Sequence, residues 1–369
     1  MLLLQSKQEA TLQDAPGQIF YKKMTKVSSE SNLSDVITQY LEYCEIEKNL
    51  SQNTLKMYHF YLTDFIEWLG AFLKKEKVTP GDITDENIKK YRLDLNRRIS
   101  SKSNMEFKRS TQKTFLVAIR ALLKYLVVEE QLEIMSPEQI ILGKSDDRVP
   151  KVLNEEQMKR LFDGQDLSKR SGIRDRAILE TLYSTGLRVS ELTKLNRDDV
   201  NLDSGEFTVI GKGRKARTVY LSPVAKEWIK RYLGLRGDSF KPLFLRYSGK
   251  HMESDDFDGE SLRLTVRSVE RMIKKYVSNS GISVDATPHT LRHTYATGLL
   301  QEGADLRSVQ ELLGHSSVST TQIYTHITNR QLKNIHKLYH KDIEGKPNFS
   351  VKESNGETAD EESEITSLN

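Results

Sequence analysis

The run TGLRVSEL at residues 185–192 places Arg188 two residues after a glycine and three residues before Glu191. Residues three apart in a helix lie on the same face, so the guanidinium and the carboxylate are expected to meet. Such a pair is most often a surface salt bridge and alone is weak evidence of a site. Three further runs in chain order change that interpretation. They are GKGRKAR at 211–217, HTLRHT at 289–294 and LLGHSSVSTTQIYTHI at 312–327.

The run HTLRHT carries His289 and Arg292, again three residues apart, at the start of a predicted helix introduced by Pro288. This spacing places an imidazole and a guanidinium side by side. The free backbone amides at the start of a helix also favour an anion. One H-x-x-R pair is common by chance, so this run also indicates a site only in combination with the other runs.

In the last run His315 follows Gly314, and Tyr324 comes nine residues later. Nine residues are about two and a half helical turns, which would place the two side chains on opposite sides of one straight helix. If both serve one site, the chain must break near residues 314–316. Tyr324 taken alone is most often a half-buried packing residue.

Lys212 lies between two glycines in the turn of a predicted hairpin with strands at 206–210 and 216–221. It is either a mobile surface lysine or a proton donor that swings towards a phosphate, since the glycines let the turn approach DNA closely. Arg214 and Lys215 in the same turn are further candidates for DNA contact.

Among the residues of the four runs, the candidates for one site are two arginines, a lysine, two histidines and a tyrosine: Arg188, Arg292, Lys212, His289, His315 and Tyr324. Two planar guanidinium groups suit the two free oxygens of a phosphodiester, because each can donate paired charged hydrogen bonds. A tyrosine beside them can attack phosphorus and become covalently joined to DNA. The set predicts an enzyme that cuts and rejoins DNA with no metal and no other cofactor.

Charge supports a polyanionic partner. The chain of 369 residues has a net charge of +4, but six carboxylates and no basic side chain lie from Glu353 onward. Residues 1–352 therefore carry 56 basic and 46 acidic side chains, a balance that by itself fits DNA, RNA or an anionic membrane. The single cysteine, Cys44, allows no internal disulfide. No run approaches the roughly 18 apolar residues of a membrane-spanning helix, so the expected location is the cytoplasm, away from membranes.

Residues 31–137 show helical spacing of apolar residues and are predicted to form an all-helical domain. Ser51 is expected to cap the second helix and either Thr84 or Asp85 the third, Ser110 to start the fourth, and Pro137 to end the domain. Five basic residues lie off the apolar stripe of the fourth helix. They are Lys108, Arg109, Lys113, Arg120 and Lys124. A solvated face is the ordinary explanation; beside the four runs, we interpret them as phosphate contacts.

Residues 153–341 are predicted to form a second domain that opens with a capping box of Asn154 and Gln157. Its predicted helices span 155–163, 172–185, 189–195, 223–234, 265–279, 289–302, 305–313 and 317–326. The expected fold is mainly α with a small β-sheet. The polar stretch 246–262 is expected to be a surface loop, and its His251 matches no metal-ligand spacing. The remaining predictions are a flexible arm at 1–30, a linker at 138–152 and an acidic disordered tail at 342–369.

In this order the motifs resemble the tyrosine recombinase, or phage integrase, family, and more closely its Xer-like members. T-G-L-R-x-S-E-L, H-x-L-R-H-[TS]-x-A-T and the run LGHSSVSTTQIYTH are highly specific, and the resemblance covers about residues 32–341. It implies a helical SAM-like core-binding domain and a tyrosine-recombinase catalytic domain, clamped around duplex DNA.

The resemblance also implies a role for each motif residue. Tyr324 would attack the scissile phosphate and form a 3′-phosphotyrosyl bond. Arg188 and Arg292 would hold the non-bridging oxygens and stabilise the transition state. His315 would add a hydrogen bond at the same phosphate.

Three residues would have supporting roles by the same resemblance. Lys212 would protonate the leaving 5′ oxygen, His289 would assist proton removal from the nucleophile, and Glu191 would orient its neighbours. The phosphotyrosyl bond keeps the energy of the broken bond, so religation needs no ATP.

Family members act as four protomers on two double-stranded recombination sites, which implies a tetramer of this chain, alone or with a related recombinase. The segment 329–341 would dock onto a neighbouring protomer or fold back on its own domain. Xer-type dimer resolution is the preferred role, because the arm at 1–30 is too short for an arm-binding domain. The alternatives are the integrase of a mobile element, a type IB topoisomerase and a DNA-binding protein without activity.

Overall fold

The computed structural model describes residues 26–100, 104–143, 150–211, 215–247 and 256–314. The chain divides into two compact units, Met1–Asp147 and Arg148–Asn369. Within the described ranges both units are mainly helical, and the named strands form one two-stranded sheet. The predicted fold class is confirmed. None of the described helices is long and apolar enough to cross a membrane.

The first unit contains α1 (Leu33–Ile46), α2 (Gln52–Leu73), α3 (Asp85–Arg97) and α4 (Arg109–Lys124). Their apolar stripes meet in one core whose most buried members include Leu62, Phe65, Tyr91 and Leu122. The helix starts predicted at Ser51 and Thr84 are present. The Thr84 hydroxyl accepts the Asn87 N–H at 3.2 Å, which satisfies a backbone donor that the helix leaves unpaired.

Two details of this unit differ from the sequence prediction. Helix α4 begins at Arg109, one residue before Ser110, and Lys108 at its N-cap makes no capping bond. Pro137 opens a short 3₁₀ turn, and Ile140 just after it is buried in the core. Packing therefore continues past Pro137, because an apolar residue directly after the turn anchors the chain again.

The second unit contains α5 (Glu155–Asp163), α6 (Arg170–Thr185), α7 (Val189–Leu192), α8 (Pro223–Gly234), α9 (Val266–Asn279), α10 (Pro288–Gln301) and α11 (Leu306–Leu313). The capping box is present, since Asn154 Oδ1 accepts the Gln157 N–H at 2.8 Å and Gln157 Oε1 accepts the Asn154 N–H at 3.0 Å. The helix predicted over 189–195 ends at Leu192. The helix predicted over 317–326 lies outside the described residues.

The hairpin of β1 (Glu206–Ile210) and β2 (Ala216–Tyr220) is antiparallel, with Phe207 opposite Val219 and Val209 opposite Arg217. Phe207, Val209 and Val219 are buried in the core of this unit. Side chains alternate along a strand, so Arg217 lies on the same inward face as these three apolar residues.

Helix α11 packs against β2 and α10, and α10 packs against α6. The contact between α10 and α11 is a small apolar cluster that includes Leu300, Val309 and Leu313. This packing brings the end of α11 to the hairpin and to the end of α6. Residues more than 100 positions apart in sequence therefore meet at one place.

Candidate active site

The site begins where α6 ends. Gly186 adopts the left-handed conformation, with φ of 58°, and terminates the helix. The chain then turns into α7, with Arg188 at the N-cap and Glu191 three residues on. The Arg188 N–H donates to Glu191 Oε2 at 2.9 Å, and Arg188 Nη1 donates to Oε1 at 2.8 Å. The expected contact is present, but Arg188 precedes the helix and does not lie on its face.

A third residue, Arg217 of β2, completes this group. Its Nη1 and Nη2 donate to the two oxygens of Glu191 at 3.0 and 2.8 Å. Parallel bonds of this kind between a guanidinium and a carboxylate are stronger and more directional than a single ion pair. Glu191 is thus shared between Arg188 and Arg217, and its side chain is only 6% exposed.

Three guanidinium groups converge on the end of α11, where three successive backbone carbonyls each accept a hydrogen bond. The pairs are Arg217 Nε with Leu312 O at 3.1 Å, Arg292 Nη2 with Leu313 O at 2.6 Å, and Arg188 Nη2 with Gly314 O at 3.2 Å. The last carbonyls of a helix lack helical partners and carry partial negative charge. Cations therefore cap α11 immediately before residue 315.

The surroundings of Glu191 keep it ionised. Burial alone would raise its pKa, but hydrogen bonds from Arg217 and from the Arg188 backbone, with the charge of Arg217, lower the pKa to about 2. The carboxylate is therefore negative at neutral pH. It offsets the repulsion between the two guanidinium groups that it binds.

Helix α10 supplies the fourth part of the site. Thr287 caps the helix by accepting the Thr290 N–H at 3.3 Å, with Pro288 in the first position. His289 lies exposed in the first turn, and Arg292 lies one turn further on, as the spacing predicts. Arg292 Nη1 also donates to Gly186 O at 2.5 Å, which joins α10 to the end of α6.

The two arginines that the sequence singled out differ in accessibility. The Arg188 side chain is 26% exposed, whereas Arg292 is 4% exposed. Arg188 is the more accessible of the two to an incoming ligand. Beside Arg292, burial and the positive charges of its neighbours lower the pKa of His293, which favours the neutral imidazole.

Four of the predicted site residues, Lys212, Arg214, His315 and Tyr324, lie outside the described residues. Lys215, next to the undescribed turn, is exposed. The basic residues of α4 belong to the first unit. Arg109, Lys108 and Lys124 are exposed, and Lys113 and Arg120 are partly exposed.

Sequence reasoning missed Arg217, although GKGRKAR contains it. The signal was the alternation of β2, which places a charged residue on the same face as Val219. A charge on the buried face of a strand needs a partner. Sequence reasoning also missed the outer face of α9, where Arg267, Arg271 and Lys274 are exposed and, within the described ranges, form no ion pair.

Comparison with known families agrees with this geometry. Residues 151–331 match the phage integrase family, and residues 37–130 match the phage integrase N-terminal SAM-like domain. The chain belongs to the phage integrase family and is a tyrosine recombinase, an enzyme of site-specific DNA recombination.

Among tyrosine recombinases, the chain is similar to XerD proteins. The tyrosine recombinase XerD of Listeria innocua is 36% identical over 321 residues, which cover 84% of this chain and 99% of that protein. The tyrosine recombinase XerD of Pasteurella multocida is 36% identical over 312 residues, covering 83% and 98%.

Two solved structures share the fold. The XerH site-specific recombinase bound to difH substrate, in a pre-cleavage complex, has a TM-score of 0.60 at 22% identity and covers 83% of this chain and 84% of its own. A lambda integrase tetramer bound to a Holliday junction has a TM-score of 0.60 at 17% identity, covering 80% and 78%.

The low pKa of Glu191 predicts a pH-dependent contribution to stability. A carboxylate whose pKa falls from 4.5 to about 2 on folding stabilises the folded chain by about 3 kcal/mol above pH 4.5. That contribution is lost as the pH falls towards 2. Urea unfolding of wild type and Glu191→Gln should show a stability difference that shrinks from pH 5 to pH 2.5. A pH-independent difference would contradict the assignment, and Glu155→Gln, at an exposed position, is the control.

Gly186→Ala is expected to destabilise the second unit. A Cβ at this residue would lie 2.5 Å from Tyr295 Cδ1, and the left-handed φ adds strain. Together these effects should cost about 2 kcal/mol or more of the free energy of unfolding. Gly298→Ala in α10 is the matched control, because no atom of another part of the described chain lies within 4 Å of its Cβ position, and it should be neutral or slightly stabilising. Equal stability of both variants in thermal unfolding would exclude this role for Gly186.

Proposed function

We propose that this chain cleaves duplex DNA at specific sites by attack of the Tyr324 hydroxyl on a phosphate, which forms a 3′-phosphotyrosyl bond and frees a 5′ hydroxyl. A 5′ hydroxyl of a partner strand then attacks that bond and rejoins the DNA. The observation that carries the proposal is the convergence of Arg188 and Arg292 on the end of α11, immediately before His315.

The charge of the cluster favours a phosphate. Arg188 and Arg217 share one carboxylate, so these three side chains together carry one net positive charge, and Arg292 brings a further guanidinium to the same carbonyls. A phosphodiester has one negative charge, and more charge develops on its oxygens as a fifth ligand approaches phosphorus. A fixed cationic cluster stabilises that transition state more than the substrate.

Each proposed role uses groups that the structure places here or that the sequence supplies beside them. Arg188 would bind one non-bridging oxygen with its exposed side. Arg292 would bind the other by exchanging a bond that it now makes to Gly186 or Leu313. His289 lies exposed in the first turn of α10, where the positive end of the helix dipole favours an anion. His315 would add a hydrogen bond, and Lys212 would protonate the leaving oxygen.

The proposed partner is double-stranded DNA, and each unit offers basic side chains for it. In the first unit, Arg109, Lys113, Arg120 and Lys124 recur along one side of α4, and no ion pair joins them to another described residue. In the second unit, Arg267, Arg271 and Lys274 on the outer face of α9 are exposed and likewise form no ion pair with another described residue. The proposed division assigns DNA binding to the helices of the first unit and catalysis to 153–341, with 1–30 as an arm and 342–369 as a tail. The linker begins after Ile140, which is buried in the core of the first unit.

We assign the chain an Xer-type role, the resolution of dimers by a tetramer on two DNA sites. The support is the identity to the XerD proteins over almost their whole length. XerH bound to difH shares the fold, and so does the lambda integrase tetramer bound to a Holliday junction, which is an assembly of the proposed size. Whether a related recombinase supplies half of the tetramer is decided by adding one to the assay below.

Covalent trapping tests the reaction. Nicked duplexes tiled across the replication terminus of the source chromosome and across the flanks of this gene are incubated with the full chain in EDTA, then run on a denaturing gel. Wild type should form an adduct at a discrete site. Tyr324→Phe should form none, and Arg188→Ala and Arg292→Ala should form it about 10²- to 10³-fold more slowly.

The outcomes of this experiment separate the alternatives. An adduct with Tyr324→Phe would show that another residue is the nucleophile. A site at the terminus supports dimer resolution, whereas a site flanking the gene indicates an integrase. Adducts scattered over all duplexes would indicate a topoisomerase. Binding without any adduct, even with a related recombinase added, would leave a DNA-binding protein.

The basic side of α4 generates a separate prediction. The double variant Arg109→Ala/Lys113→Ala should weaken binding of all duplexes and reduce the slope of log K against log salt by about 2, because two phosphates would no longer be neutralised. Lys89→Ala/Lys90→Ala removes the same charge from exposed positions on α3 and should leave the slope unchanged. Equal slopes for the two double variants in a filter-binding titration would show that α4 does not contact phosphates.

A further inference from the structure

Arg217 is the most constrained of the three arginines at the end of α11. It lies on the inward face of β2, opposite Val209, and its side chain is only 9% exposed. Its three nitrogens donate to Glu191 Oε1, Glu191 Oε2 and Leu312 O. One side chain thus holds α7, α11 and the hairpin together.

These contacts argue against a direct role on the phosphate. A guanidinium bound through both terminal nitrogens to a buried carboxylate has its charge offset at short range. Arg188 differs, because it bonds to only one oxygen of Glu191 with its side chain and is 26% exposed. An incoming anion therefore finds Arg188 available and Arg217 already paired.

Arg217 instead binds Glu191, the residue that holds Arg188, and Arg188 is the group that would contact DNA. Glu191 receives the Arg188 backbone N–H on Oε2 and the Arg188 side chain on Oε1. Arg217 binds the same two oxygens and so fixes the plane of that carboxylate. The third bond, to Leu312 O, holds the chain two residues before Gly314, where Arg188 also binds.

We propose that Arg217 is a positioning residue for the strand-cleavage step, acting through Glu191 and the end of α11 to hold Arg188 and the chain entering residue 315 in one geometry. This inference rests on the proposed function. Its basis is the single guanidinium that bonds both to the carboxylate behind Arg188 and to the carbonyl end of α11.

The planar fork of arginine is essential to this arrangement. A lysine keeps the charge, but its single nitrogen cannot hold two carboxylate oxygens and a carbonyl in one plane. Arg217→Lys should therefore keep the cluster cationic while loosening Glu191. Misplacement of a reacting group by about 1 Å lowers a reaction rate about 10²-fold. DNA binding depends on other residues and should change little.

The test measures two quantities for each variant of the full chain, on the nicked duplex that wild type cleaves. These are the affinity for the duplex and the rate of adduct formation at saturating enzyme. Arg217→Lys should bind with near wild-type affinity and form the adduct at least about 10²-fold more slowly. Arg263→Lys is the matched control. Arg263 likewise holds a carboxylate, Glu260, and the Thr193 and Leu195 carbonyls, with no bond to Glu191 or α11; its rate should stay close to wild type.

A double variant separates positioning from direct contact. If Arg217 acts through Glu191, the rate loss of Arg217→Lys/Glu191→Gln should be clearly smaller than the product of the two single losses, because both changes disturb the same placement of Arg188. If Arg217 contacted the phosphate by itself, the two rate losses would multiply. Multiplied losses would overturn the proposal.

Three results distinguish the remaining outcomes. A wild-type rate for Arg217→Lys, or an equal rate loss in Arg263→Lys, would overturn the positioning role. No adduct with wild type would reject the proposed function itself. If Arg217→Lys does not fold, as judged by thermal unfolding, Arg217→Gln is used instead, since its amide still provides an N–H donor for Leu312 O. The same losses are expected.

Discussion

The carbonyl end of α11 is the point on which the second unit's site depends. Three guanidinium groups, from the turn after α6, from β2 and from α10, each bind one of its three last carbonyls. Placed together without partners, three such cations would repel one another. The partial negative charge of the helix end and the carboxylate of Glu191 offset that repulsion. The cluster is thus stable before any ligand is bound.

Two glycines make this convergence possible. Gly186 ends α6 and Gly314 ends α11, both in the left-handed conformation. A Cβ at Gly186 would meet the Tyr295 ring at 2.5 Å, and a Cβ at Gly314 would meet Arg217 Cδ at 2.8 Å. Arg217 approaches the backbone at Gly314 this closely only because that position carries no side chain, and the Tyr295 ring packs against Gly186 for the same reason. The left-handed backbone at these two glycines and the positions of the arginines therefore depend on each other.

Helix caps and other features formed by neighbouring residues could be predicted from the sequence. Contacts between residues distant in sequence could be predicted only in part. The capping box at Asn154 and the helix start at Ser51 were predicted because a cap uses neighbouring residues. The motifs also indicated Arg188, Glu191 and Arg292. The buried contacts of Arg217 were not predicted, because a basic hairpin has the sequence of a solvated turn. Only the strand register shows that Arg217 faces inward. The continuation past Pro137 escaped for a similar reason, since Ile140 is anchored by helices distant in sequence.

The division between paired and accessible charge suits the site to the action on a phosphate that we propose. A cluster in which every cation was paired with a carboxylate would bind an anion weakly, and one with no carboxylate would have no fixed geometry. Here a single carboxylate orients two guanidinium groups and leaves Arg188 partly exposed. The reorganisation that DNA would otherwise have to drive has largely occurred during folding. The free energy of binding the phosphate can then stabilise the transition state, because the site does not have to be assembled first.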